Sequence, residues 1–193
     1  MNNNGKNVLL VGVGGQGTIL ASKLLSEGLL ALGYDVKMSE IHGMAQRGGS
    51  VSTHVRYGAK VYSPVMGTGE ADVLVAFEKM EALRWLSYLS SDGVLIVNNH
   101  EIYPMPVILG QAEYPKFLEK KLAQAAPRML LVEAAKTAAE LGNPKVMNVV
   151  LLGAVVKSLG LADAEWSTTL RACVPPHALE INERAFRTGL NLG

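Results

Sequence analysis

An α/β fold is predicted: a three-layer, Rossmann-like open sheet, mostly parallel but carrying a β-hairpin, with helices on both faces. Three observations predict it. Short apolar runs alternate with stretches of helical period, as in βαβ units. The first apolar run leads straight into the glycine loop Gly12-Val13-Gly14-Gly15-Gln16-Gly17. After a second glycine-rich loop, His42-Gly43-Met44-Ala45-Gln46-Arg47-Gly48-Gly49, a segment with a period of two interrupts the βα alternation.

The elements follow in order. Residues 8–11 are apolar throughout and read as a buried parallel strand. In 16–32, Ile19, Leu20, Leu24, Leu25, Leu29 and Leu32 recur at the helical spacing, and Gly33 supplies a C-terminal stop. Residues 35–40 form the second strand. Val51, Thr53, Val55 and Tyr57 alternate with Ser52, His54 and Arg56, the pattern of a half-exposed strand. Gly58-Ala59 reads as a turn into 60–62, which makes this pair the expected hairpin. Residues 71–77 and 94–97 are further core strands, with an amphipathic helix at 79–89 between them.

The stretch from 98 to 114 carries Pro104 and Pro106 and reads as irregular. A helix at 116–126, a strand at 128–132 and a short helix at 137–141 follow. Pro144 suits the first turn of a mostly apolar helix, 145–159, which contains Gly153 and Ala154 and should be packed on more than one side. Helices at 164–172 and 178–188 close the chain. No repeat, low-complexity tract or composition break divides residues 1–193, so one domain is expected.

Composition narrows the function classes. Lys and Arg number 18 against 17 Asp and Glu, for a net charge of +1, without a basic tract; no nucleic-acid footprint is expected. No apolar run approaches the roughly 20 residues that span a bilayer, and no signal-type stretch precedes the first strand, so a cytoplasmic protein is expected. Cys173 is the only cysteine, which excludes intramolecular disulfides and an iron–sulfur cluster needing about four thiolates. Lying at a helix end without an activating neighbour, it reads as a buried structural thiol. The four histidines lack metal-ligand spacing, so no metal site is expected. Nor do they form a Ser, Cys or Asp constellation, and no catalytic residue is assigned. His42 is read as orienting its loop, His54 as an exposed strand residue, and Trp85, Tyr88 and Leu89 as one packed helix face.

Gly12, Gly14 and Gly17 satisfy G-x-G-x-x-G between a strand and a helix, where glycines permit close approach and the helix N-terminus offers free N–H groups. Glu40 ends the second strand, a position from which a carboxylate can hold a ribose hydroxyl. These residues fit a dinucleotide site, or merely a sharp turn. The second loop departs from an ordinary dehydrogenase. Gly48-Gly49 frees the backbone and Arg47 adds a planar donor fork suited to carboxylate or phosphate. Its alternative is a turn in which Arg47 pairs with a local acid such as Glu40.

The two glycine strings together, with Gln46-Arg47-Gly48-Gly49-Ser50-Val51, resemble the gamma-type subunit of 2-oxoacid:ferredoxin oxidoreductases. The fuller string from Glu40 to Gly49 is similar to the indolepyruvate branch, where the equivalent chain is called beta. Tyr62-Ser63-Pro64, Gly69-Glu70-Ala71-Asp72 and 148–154 extend the resemblance over nearly the whole chain. Such enzymes oxidatively decarboxylate a 2-oxo acid to acyl-CoA and pass electrons to ferredoxin. The resemblance implies that thiamine diphosphate and the iron–sulfur clusters sit on a large partner subunit and that coenzyme A belongs to the assembled complex. It also implies that the isolated chain binds no cofactor tightly and is inactive; it is also a candidate homodimer. Gly12, Gly14, Gly15, Gln16, Gly17, Glu40, Gln46, Arg47, Gly48 and Gly49 are the candidate cofactor contacts. Two rival readings stand beside this one: a stand-alone NAD(P)-binding dehydrogenase using residues 12–17 and Glu40, and an assembly module whose loops bind no small molecule.

Overall fold

The computed structural model describes residues 5–43 and 48–192. Six strands, β1 (Lys6–Val13), β2 (Asp35–His42), β3 (Ser50–Gly58), β4 (Ala71–Ala76), β5 (Leu89–Asn98) and β6 (Met129–Val132), form one sheet in the order β2-β3-β1-β4-β5-β6. Helices α1 (Thr18–Ala31), α2 (Lys79–Trp85), α3 (Met105–Ile108), α4 (Leu118–Ala125), α5 (Ala134–Glu140), α6 (Met147–Ser158), α7 (Ser167–Cys173) and α8 (Leu179–Leu190) connect and flank them. The β1–β4, β4–β5 and β5–β6 pairings are parallel, as the apolar runs predict. Both pairings of β3 are antiparallel.

The period of two in β1 divides the core. Val8 and Leu10 point to one face, under α1, α6 and α8, while Leu9 and Val11 point to the other, under α2 and α4. Burial on both faces explains why these strands read as continuous apolar runs. Helix α6 is buried from Asn148 to Val156, as its composition predicts. It crosses α8 at two glycines. A Cβ on Gly153 would lie 2.4 Å from the Phe186 carbonyl oxygen, and one on Gly189 would lie 2.0 Å from that of Val150. Only glycine permits these backbones to approach so closely.

Several boundaries differ from expectation, one with consequences. The hairpin is β2–β3, paired from Asp35 with Gly58 to His42 with Val51 around the loop 43–49. Residues 60–62 form no strand, because the Val61 N–H donates to the Asp35 carboxylate at 2.9 Å and the chain leaves the sheet there. Strand β3 therefore wedges between β1 and β2 and is interior. Ser52 and His54, read as exposed, are 1% and 2% exposed. Met66 donates its N–H to His54 Nδ1, and the His54 ring stands edge-on to Tyr88. Burial depresses the His54 pKa and keeps the ring neutral.

Helix α2 ends at Trp85, and a single 3-10 turn, Leu86–Tyr88, leads into β5, so Trp85, Tyr88 and Leu89 belong to three elements. Their packing role survives: the Trp85 and Tyr88 rings lie 5.1 Å apart. Pro144 opens a 3-10 turn before α6. Cys173 ends α7 but is half-buried, and burial pushes its thiol pKa up, away from a reactive thiolate. Among the described residues no helix is long and apolar enough to cross a membrane.

Alanine in place of a helical glycine ordinarily stabilises by up to about 1 kcal/mol. At the α6–α8 crossing the sign should reverse. Gly153→Ala and Gly189→Ala should each lose about 1–3 kcal/mol in urea unfolding, because the added methyl forces the helices apart. Unchanged or raised stability would refute the close crossing.

Candidate functional site

Both glycine loops lie at the carboxyl edge of the sheet, and β3 brings them into contact. Gly12 pairs with Val51 and Val13 with Ser50. Beyond the last pair, the Gly14 N–H donates to the Gly49 carbonyl at 2.9 Å. One backbone cleft results. It encloses about 420 Å³ and is lined by Gly14, Gly15, Gly17, Thr18, Ile19, His42 and Val51.

The first wall is held by side-chain amides. Gln16 Oε1 accepts the Val13 N–H at 2.8 Å, and its Nε2 donates to the Phe77 carbonyl at 3.0 Å. Phe77 in turn donates its N–H to Val11, so Gln16 ties the ends of β1 and β4 together. Its functional groups are thus engaged within the protein. Gly17 is the N-cap of α1 and takes a left-handed φ of 81°. A Cβ there would also lie 2.6 Å from Asn148 Nδ2, which donates to the Gly17 carbonyl at 3.1 Å. Helix α1 therefore begins two residues later than its apolar period suggests. Among the described residues no side chain caps its first turn, which leaves N–H groups turned toward the cleft. Such an end favours a bound anion.

The opposite wall is His42, at the end of β2, with its Nδ1 3.2 Å from the Gly43 carbonyl oxygen. The reading of His42 as a loop-orienting residue is thus extended: it also faces the first glycine loop. The signal was the register, since His42 pairs with Val51 and Val51 with Gly12. Gly48 is exposed and Gly49 half-buried. Gln46 and Arg47 lie outside the described residues. Glu40 is half-buried opposite Thr53, with the whole of β3 between it and β1. Two strand spacings, about 9.5 Å, separate it from β1. In a dinucleotide-binding order the two strands would be neighbours.

A second cleft, of about 910 Å³, opens on the same edge beyond β4 and β5; Tyr103, Tyr114 and Phe117 are among its walls. Lys79 also lines it, and Glu78, its neighbour after β4, lies behind Tyr114. Glu78 is fully buried; it caps α2 by accepting the N–H groups of Met80 and Glu81, and it accepts the Tyr114 hydroxyl at 3.1 Å. Burial holds its pKa above the usual carboxylate range despite these bonds. Burial works against the Lys79 ammonium, but bonds to Glu119 at 2.7 Å and Glu101 at 3.0 Å outweigh it and hold the charge. Reading 98–114 as irregular hid this arrangement, because Tyr114, Glu101 and Glu119 are neighbours of Glu78 and Lys79 only in space.

Residues 7–192 match the family described as pyruvate ferredoxin/flavodoxin oxidoreductase. The chain is 40% identical to the indolepyruvate oxidoreductase subunit IorB of Thermococcus kodakarensis, covering 95% of this chain and 94% of that one. The fold is similar to pyruvate oxidoreductase subunit PORC of Thermotoga maritima, with a TM-score of 0.73 and 22% identity over 97% of this chain and 96% of that one. It is also similar to part of the 2-oxoglutarate:ferredoxin oxidoreductase of Magnetococcus marinus, solved with 2-oxoglutarate, coenzyme A and succinyl-CoA. That match has a TM-score of 0.75 and 18% identity, covering 97% of this chain but 30% of the other.

Two outcomes test this geometry. Gln16→Leu removes the side-chain acceptor of the Val13 N–H and leaves the Phe77 carbonyl with Asn98 Nδ2 alone, and should cost about 1–3 kcal/mol in urea unfolding. The Glu78 assignment is tested by pH. Above its ordinary value of 4.5 the unfolded chain has released the Glu78 proton while the folded chain still holds it. Wild-type stability should therefore fall relative to Glu78→Gln as pH rises from 4.5 through the raised value, read as diverging melting temperatures. Parallel curves would contradict it.

Proposed function

The chain belongs to the pyruvate ferredoxin/flavodoxin oxidoreductase family, and from that membership we propose how its carboxyl-edge cleft serves the enzyme. It is a small subunit of a multisubunit 2-oxoacid:ferredoxin oxidoreductase. The proposal is that the complex is cytoplasmic and oxidises an arylpyruvate of the indolepyruvate type. On this reading thiamine diphosphate and iron–sulfur clusters are carried by a large partner subunit that delivers electrons to ferredoxin. Identity of 40% to an indolepyruvate oxidoreductase subunit supports the substrate class, and the single cysteine supports the division of cofactors.

Within that complex the glycine loops form one side of the coenzyme A site. The observation that carries this reading is the joining of the two loops through Gly14 and Gly49 beside the uncapped end of α1. The cleft fits an anionic group: glycines admit close approach, and the amides of α1 complement phosphate charge. Gly12 and Gly17 shape the wall and Gly14 and Gly15 present the backbone. Gln16 braces that wall from behind. Gly48, Gly49, Gln46 and Arg47 complete the other side, Arg47 supplying the bidentate donor. Coenzyme A in the Magnetococcus relative accords with this role. The stand-alone dehydrogenase is not favoured, because β3 separates Glu40 from the glycine loop.

The purified chain should show neither cluster absorbance nor turnover of indolepyruvate with coenzyme A and ferredoxin, and activity should appear on adding the large subunit. Full activity from the single chain, or tight NADH binding weakened by Glu40→Ala, would refute this. In the assembled enzyme Arg47→Ala should raise KM for coenzyme A by about tenfold or more, the size expected for one lost charge-assisted hydrogen bond. An unchanged KM with assembly intact would favour a pure assembly module.

A further inference from the structure

Between β5 and α4, residues 99–117 leave the sheet as an insertion at the carboxyl edge. Among the described residues, twelve large apolar side chains are more than a third exposed. Five fall in this insertion: Tyr103, Met105, Ile108, Leu109 and Phe117. Helix α3 is wholly apolar, Met-Pro-Val-Ile, with Met105 and Ile108 each over 60% exposed. A cluster of this kind on one surface marks an interaction site.

The insertion is also fastened. The Lys79 N–H donates to the His100 carbonyl at 3.0 Å, and its ammonium joins Glu101 on one side to Glu119 on the other. Tyr114 donates to buried Glu78, and the Tyr103 and Tyr114 rings lie 5.0 Å apart. Phe117 takes a left-handed φ of 59°, alone among the described non-glycine residues, and is 78% exposed. That conformation carries strain, and an aromatic ring left in water gains nothing to offset it within this chain.

We infer that the insertion, with Ile108, Leu109 and Phe117 as its anchors, is the surface on which the larger, thiamine-binding subunit docks; the inference rests on the function proposed above. Two observations choose that occupant. In the Magnetococcus enzyme this fold is 30% of a longer chain, so there it lies beside more than twice its own length of the same polypeptide. The insertion also shares the carboxyl edge with the glycine-loop cleft, where Ile19 adds exposed apolar surface. A large body seated on the insertion therefore also faces that cleft, as a partner completing the site must.

The test is the dissociation constant of the chain for the purified large subunit, by calorimetry, with circular dichroism and melting temperature as fold controls. Truncating buried anchors at interface centres commonly costs about 2 kcal/mol or more. The pair Ile108→Asp and Leu109→Asp should therefore weaken binding by about thirtyfold or more. Phe117→Gly relieves the backbone and should fold at least as well, yet weaken binding by about tenfold. Tyr62→Asp, at a 90% exposed side chain on the amino edge, should leave the constant within about twofold, since it lies off the interface. If the wild-type complex forms and turns over but the insertion variants bind as tightly, the docking surface is refuted and the proposed function stands. If they abolish only self-association of the chain, the occupant is a second copy and the inference is overturned. A wild-type chain that neither binds nor activates the large subunit would overturn both.

Discussion

The hydrogen bond from the Gly14 amide to the Gly49 carbonyl exists because β3 runs antiparallel between β1 and β2. In a sheet built only from parallel crossovers the loops after β1 and β2 would both approach the carboxyl edge, but as separate turns into separate helices. Here the second loop reverses the chain and feeds it back beside β1. Registered pairing from Lys6 with Tyr57 to Val13 with Ser50 carries the end of that loop against the first. The cleft, the position of His42 and the remoteness of Glu40 all follow from this one inserted strand. Inserting it also has a cost. Ser52, Thr53 and His54 become interior, and Ser52 Oγ, Thr53 Oγ1 and His54 Nε2 have no hydrogen-bond partner among the described residues.

The other half of the carboxyl edge is organised by two consecutive residues. Glu78 and Lys79 follow β4. The first turns inward to cap α2 and hold Tyr114; the second fastens both flanks of the 99–117 insertion. Buried ionisable groups are tolerated only when hydrogen-bonded; Glu78 divides its bonds between the start of α2 and distant Tyr114, and Lys79 spends its ammonium on distant Glu101 and Glu119. One edge thus carries a polar, glycine-walled cleft beside a fastened apolar surface. That juxtaposition suits a subunit whose site is completed by another chain. Family membership and the proposed division of cofactors call for the same arrangement.

Much of the fold was legible because packing enforces simple periods. The helical spacing from Ile19 to Leu32 located α1, the apolar runs located β1, β4 and β5, and the mostly apolar sequence of α6 foretold packing on more than one side. The glycine loops were legible as candidate sites because their composition is costly without a close neighbour. What misled was pairing. Ser52 and His54 alternate with apolar residues, which reads as a half-exposed strand, yet the Met66 backbone N–H and the Tyr88 ring reach His54 from outside the strand. Gly58-Ala59 looks like a tighter turn than the seven-residue loop 43–49, so the hairpin was placed one strand too late. The insertion hid behind Pro104 and Pro106, because salt bridges between Lys79 and Glu101 or Glu119 leave no periodic trace.

In the function proposed above, the joined glycine loops face coenzyme A in the assembled enzyme. The most direct measurement is an electron cryomicroscopy structure of the complex with coenzyme A bound. A phosphate of the ligand should lie within hydrogen-bonding distance of backbone amides at the first turn of α1, with residues 46–49 on its other side. Coenzyme A density bounded wholly by the large subunit, with both glycine loops covered only by protein, would contradict it.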